Sequence, residues 1–178
     1  MIGRQLALID GGRIRKFAMT NTEIPYHRPP WIPLLRRLMV VPGANAAFRW
    51  ILRSRRFLRS SAGLGGSFSN LDLIEGEFHD YIITPLICSS YRMQGHINFS
   101  RGWDWNLVDA MKAKHAQITM PVLLVWGEDD PTFPIEKAEK MVQQFGDCRG
   151  VERIPSAKLF VQEEQPEMVS KILLQFMK

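Results

Sequence analysis

Hydrophobic and polar positions along the chain sort into a few short apolar runs and several stretches of helical period. One run has no alternation at all: Val122-Leu-Leu-Val-Trp126. That pattern predicts a strand buried on both faces, as in a parallel sheet covered by helices. Gly127 ends it, and Asp129 and Asp130 fall just past its carboxyl end, the edge where open α/β sheets gather their chemistry. Pro134 then stands at the first turn of a new helix, where its missing N–H costs nothing. In that helix Ile135, Ala138, Met141, Val142 and Phe145 share one face. Ile14 to Met19 and Val151 to Ile154 read as two further strands. Ile2, Leu6 and Ile9 fall at helical spacing before Gly11-Gly12. Pro166 opens a last helix with Val169, Ile172, Leu173 and Phe176 as its buried stripe.

The stretch from Tyr26 to about Lys114 has a different texture. Pro29, Pro30 and Pro33 stiffen its entrance. Leu34 to Met39 and Ala46 to Leu58 predict helices. Ser60 to Asn70, rich in Gly and Ser, predicts a loop. Helix follows over Leu73 to Ile87, as far as Pro85, then over Ser89 to Arg101, and again from Leu107 to His115. Gly63-Leu-Gly-Gly66 follows no strand and closes no βαβ unit, so it is no dinucleotide fingerprint. Between Arg28 and Arg59 stand Arg28, Arg36, Arg37, Arg49, Arg53, Arg55, Arg56 and Arg59, with no acid among them. They read either as a site for an anionic ligand or acidic surface, or as a solvated face balanced by Asp72, Glu75, Glu77 and Asp80.

Composition narrows the class. The chain has 178 residues, 46% hydrophobic and 23% charged, with a formal net charge of +5. That is an ordinary globular make-up. No apolar run approaches a membrane span, and no His/Cys cluster has metal-ligand spacing. No cofactor and no nucleic-acid partner is expected. Cys88 and Cys148 lie far apart, and no signal peptide is evident, which predicts reduced thiols and a cytoplasmic location.

The residues Val122-Leu-Leu-Val-Trp-Gly-Glu-Asp-Asp-Pro-Thr-Phe-Pro134 resemble the acid-bearing strand and turn of the α/β-hydrolase fold. The nearest branch is the capped one, with epoxide hydrolases, haloalkane dehalogenases and C–C or ester hydrolases. Ile154-Pro-Ser-Ala-Lys-Leu-Phe-Val-Gln-Glu-Glu-Gln-Pro-Glu167 resembles the segment that carries that family's catalytic histidine. The family reads small-Gly-His-Phe there, and this chain reads Ala157-Lys158-Leu159-Phe160, with Leu159 in the histidine's place. Thr20-Asn21-Thr22-Glu23-Ile24-Pro25 resembles the end of the strand that follows the nucleophile elbow. The resemblance thus implies an α/β fold: a partial α/β-hydrolase sheet of three parallel strands with a helical cap insertion. It divides the chain into a core start over 1–25, a cap over 26–114 and the rest of the core over 115–178.

The same resemblance makes Asp130 the catalytic acid. Asp129 should point away from the sheet edge. Trp103 and Trp105 become pocket-lining residues, or pins between lid and core, and the ligand a small apolar molecule. Nucleophilic hydrolysis needs a Ser or Asp, a His and an acid, and only the acid is found. The elbow is expected upstream of Met1. His27, His79, His96 and His115 lie in the cap or at its entrance, and none occupies the histidine position. Two readings follow. One is a truncated hydrolase, inactive alone, related to enzymes acting on esters, epoxides or haloalkanes. The other is a non-catalytic relative that binds a ligand or a protein. A shortened sheet should also leave Leu6 and Ile9 partly wet and an edge open to self-association.

Overall fold

A computed structural model describes residues 1–178. Helix α1 spans Ile2–Ile9 and strand β1 Phe17–Thr20. Helices α2 (Ile32–Leu38), α3 (Ala44–Ile51), α4 (Arg55–Arg59), α5 (Thr84–Cys88) and α6 (Ser90–Arg101) follow. Then come α7 (Trp105–Lys114), β2 (Val122–Gly127), α8 (Ile135–Val142), β3 (Cys148–Ile154), α9 (Val161–Glu164) and α10 (Pro166–Met177). The chain forms two compact units. The first comprises Met1–His27 and Trp105–Lys178, the second Arg28–Asp104. The expected insertion began at 26 and ran to 114; the second unit begins at Arg28 and stops at Asp104, so α7 belongs to the first.

The first unit is built on a parallel sheet in the order β1-β2-β3. β2 is central and buried along its whole length. Val122, Leu124 and Trp126 join a core with Ala7 of α1 and with Ile135, Ala138 and Met141 of α8. Leu123 and Val125 join a second core with Val161, Val169, Ile172, Leu173 and Phe176. Side chains alternate across a strand, so two covered faces require the unbroken apolar run that the sequence shows. Trp126 meets its polar need through Nε1, which donates to the Phe133 carbonyl at 2.7 Å.

The outer strands depart from expectation. β1 begins at Phe17, not Ile14. Gly11–Arg13 forms a 3-10 turn, and Ile14 lies between that turn and the strand. β3 begins at Cys148, three positions before the expected Val151. A bulge between the Val122–Cys148 and Leu124–Val151 pairs takes up one extra residue on β3. Gly150 sits there at φ +102°, a conformation that favours glycine. β3 is an edge strand on which only Ile154 is fully buried, so no apolar run announced its start. Pro134 also differs: it caps α8 at φ −58°, ψ 137°, one position outside the helix.

An ion pair and a histidine are among the polar groups buried in the first unit. Arg4 on α1 donates through Nη2 to Oε2 of Glu23 at 2.7 Å and to the Glu23 carbonyl at 2.7 Å. Burial lowers the pKa of Arg4 against the opposing pull of Glu23. Burial pushes Glu23 up, but the Thr22 hydroxyl, the amino terminus and Arg4 outweigh it and hold the carboxyl below its ordinary value. His115 is fully buried, stacked on Phe145 with ring centroids 4.2 Å apart, and its Nδ1 lies 2.9 Å from Oε1 of Gln144. It is a core histidine.

The second unit has its own core, where Met39, Ala44, Met93 and Ile97 pack with Leu35, Phe48, Leu52 and Leu86. The single helix expected over Ala46 to Leu58 is two, α3 and α4. Ser54 caps the second by accepting the Phe57 N–H, a cap signal hidden inside a helical period. Helix was expected to stop at Pro85. Instead a π turn, His79–Ile83, runs straight into α5 with Pro85 inside. A wider turn suits a residue that has no N–H to give and whose ring crowds the preceding turn. The Gly63-Leu-Gly-Gly66 stretch is a tight turn on α4. A Cβ at Gly63 would lie 2.2 Å from the Phe57 carbonyl oxygen, and one at Gly65 2.1 Å from that of Arg59.

Burial lowers the pKa of His115 from 6.5 to about 4. Folding therefore favours the neutral ring, and this stabilisation is complete above pH 6.5 and lost as pH falls towards 4. Urea melts across that window should show stability falling with acid, and His115→Gln should flatten the slope. A second expectation concerns association. Ile2, Leu6 and Ile9 of α1 are exposed, and β1 is paired on one side only. Light scattering should show self-association that Leu6→Lys with Ile9→Lys reduces. A clean monomer melting well above about 60 °C would refute it.

Candidate functional site

The turn after β2 is the best-built polar site in the chain. Gly127 closes the strand where two backbones nearly touch: a Cβ there would lie 2.3 Å from the Lys158 carbonyl oxygen and 2.4 Å from that of Ala157. Only glycine permits that approach. Beyond it the Glu128 N–H donates to the Ile154 carbonyl at 3.0 Å and the Asp129 N–H to the Ala157 carbonyl at 3.0 Å. The acidic turn and the segment leading to Leu159 are thus stitched together by backbone bonds. Glu164 adds a contact, since its Oε2 accepts the Lys158 N–H at 2.7 Å.

These bonds turn Asp129 and Asp130 in opposite senses. Asp129 is exposed, while Asp130 is only 3% exposed. Asn21, just after β1, donates through Nδ2 to Oδ2 of Asp130 at 2.7 Å, and its Oδ1 accepts the Gly127 N–H at 2.9 Å. Oδ1 of Asp130 accepts the Thr132 N–H at 2.8 Å. Burial raises the pKa of Asp130. The bonds from Asn21 and from the Thr132 and Phe133 N–H groups, with nearby His27, pull the other way without cancelling it. A buried carboxylate held this way can orient a donor or stabilise a cation, but needs a partner to move a proton.

His27 sits close by. Its Nε2 lies 2.8 Å from the Thr132 carbonyl oxygen, which can only accept, so that nitrogen carries the proton. Its Nδ1 lies 2.8 Å from Nζ of Lys137. Both ring nitrogens are engaged in holding the loop. Leu159 is half-buried and packs against the first core cluster. Trp105 is buried at the start of α7 in the first unit. Trp103 belongs to the second, where its ring lies 6.1 Å from that of Phe99.

Asn21 and His27 were not singled out as partners of the acidic turn. Asn21 was visible only as part of a strand ending, and His27 only as one of four histidines. Each is more than a hundred residues from Asp130 in sequence, so no local spacing links them.

Comparisons with known proteins agree with this architecture. A family model described as TAP-like protein matches residues 84–166. Human epoxide hydrolase 4 is 27% identical over 122 residues, which is 68% of this chain and 32% of the relative. The chain therefore spans about a third of that protein's length. Among solved structures, 2-hydroxy-6-oxo-6-phenylhexa-2,4-dienoate hydrolase from a Rhodococcus species superposes with a TM-score of 0.70 at 15% identity, over 99% of this chain and 61% of that one. A structure of DbjA superposes with a TM-score of 0.72 at 17% identity, over 98% and 62%.

Asn21→Ala tests the site's construction. It strips one donor from Asp130 and leaves the Gly127 N–H unpaired, at a cost of about 1–3 kcal/mol. It should also move the Asp130 carboxyl further above its ordinary 3.8. An acid raised on folding contributes most in acid and loses that contribution as pH rises through its folded value. Carboxyl-carbon NMR titration should show the upward move, and an unshifted Asp130 would contradict the role given to Asn21.

Proposed function

This chain belongs to the α/β-hydrolase superfamily, and from that premise we propose that it supplies the acid of a hydrolase centre. Asp130 is the orienting acid and the second unit, Arg28–Asp104, the cap. The observation that carries this reading is the pairing of turns at the carboxyl end of the sheet. A buried carboxylate on the β2 turn is stitched by backbone bonds to the segment after β3. In nucleophilic hydrolysis a histidine held by such an acid takes a proton from a serine nucleophile, or from the water that hydrolyses the ester formed by an aspartate nucleophile. Here the second turn presents Leu159, whose aliphatic carbon accepts no proton. The sequence also holds no Gly-x-Ser-x-Gly or Gly-x-Asp-x-Gly elbow.

The reading is therefore of the acid-bearing part of a hydrolase related to those acting on esters, epoxides or haloalkanes, and inactive by itself. Any ligand is small and apolar, with Trp103 and Trp105 as contacts. A second reading has one observation in its favour: Leu159 packs against the core. A side chain that fills space there suits a non-catalytic relative that binds a ligand or a protein.

The purified chain should turn over neither activated esters nor epoxides above background. Leu159→His alone should add nothing, since a triad acts as a unit, and Asp130→Asn should leave the background unchanged. Turnover that titrates with protein and survives repurification, or that Asp130→Asn abolishes, would overturn the inactive reading.

A further inference from the structure

Helix α2 is apolar on two faces. Leu35 and Met39, four positions apart, pack into the core of the second unit. Trp31 at the cap, Leu34 and Leu38 in the helix, and Val41 in the turn that follows recur at intervals of three and four on another side. They are 47%, 61%, 48% and 53% exposed. Arg37 borders the same stripe, whereas the helical period puts Arg36 on the far side of the helix. An apolar helical stripe is ordinarily covered.

Charge says what would cover this one. From Arg28 to Asn70 the chain has eight arginines and no Asp or Glu. Some are already held. Arg55 pairs with Glu75, and Arg59 with Asp72 and Glu75. Arg36 donates to the Arg101 carbonyl and Arg49 to that of Ile87. Arg37, Arg53 and Arg56 are exposed and carry no such bond. So the stripe is apolar and bare, Arg37 sets a free positive charge at its border, and no acid stands in the segment from Arg28 to Asn70 to offset it.

We propose that this side of α2 with its flanking cap and turn, from Trp31 to Val41, docks on an anionic phospholipid bilayer. Headgroup phosphates and carboxylates meet the arginines, Trp31 sits at the headgroup level, and Leu34, Leu38 and Val41 enter the acyl boundary. A second copy of the chain offers the stripe a similar apolar surface but sets one arginine-rich segment against another, where like charges repel. The contact is peripheral: no helix is long and apolar enough to cross a membrane.

The test is flotation of the full 178-residue chain with phosphatidylcholine vesicles, with and without phosphatidylserine. Roughly tenfold more protein should float with the anionic lipid, and added salt should reverse the gain. Leu34→Ser with Leu38→Ser should abolish binding, and Arg37→Glu should weaken it about tenfold or more. All three side chains are exposed, so circular dichroism should be unchanged. Equal binding to both vesicle types would overturn the proposal, as would binding indifferent to the Leu34/Leu38 change. So would lipid-free oligomers that dissolve on that change without vesicle binding, which would assign the face to a second copy. Retention on polyglutamate without flotation would assign it to an acidic protein.

Discussion

Strand β2 is paired on both edges and covered on both faces, and the site takes its shape from where that strand stops. Its last residue is Gly127, and the carbonyls of Ala157 and Lys158 occupy the space a side chain would need. Any other residue there would push the β2 turn and the segment after β3 apart. With glycine the two turns share backbone hydrogen bonds, and Asp129 and Asp130 are turned one outward and one inward. Packing in the middle of the sheet thus decides which acid is buried at its edge.

Burying a carboxylate is costly unless donors surround it. Asp130 is supplied by Asn21 from the end of β1 and by N–H groups of its own turn. Asn21 also holds the Gly127 N–H, so one amide ties the acid to the strand that presents it. His27 closes the arrangement from outside, bound to the Thr132 carbonyl and to Lys137. The site is well made as an acid holder. The segment stitched to its turn carries Leu159, which has no proton to orient, and the proposed loss of activity rests on that mismatch.

The second unit follows other rules. Apart from α6 its helices are short, interrupted at Ser54 and Pro85, and α4 is followed by a turn in which glycines lie on carbonyl oxygens. Its acids come late, and Asp72 and Glu75 reach back to Arg55 and Arg59. The balance of charge expected between these segments is thus real for two arginines. Arg37 remains exposed at the border of an apolar stripe, the combination read here as a lipid-facing surface.

The unbroken run Val122 to Trp126 determined a buried parallel strand, because only a strand covered on both faces needs every position apolar. The stripe Val169, Ile172, Leu173 and Phe176 likewise determined how α10 packs, since helical period is local. The likeness around Asp130 was legible because strand, glycine and acid lie in one short segment. Tertiary structure alone decided the rest. The starts of β1 and β3 depend on pairing with β2, and a bulge at Gly150 hides the register. The division of α3 from α4 turns on one serine cap, which a helical period masks. Asn21 reaches Asp130, and His27 reaches Thr132, across more than a hundred residues. No spacing along the chain encodes a contact that exists only because two parallel strands lie side by side.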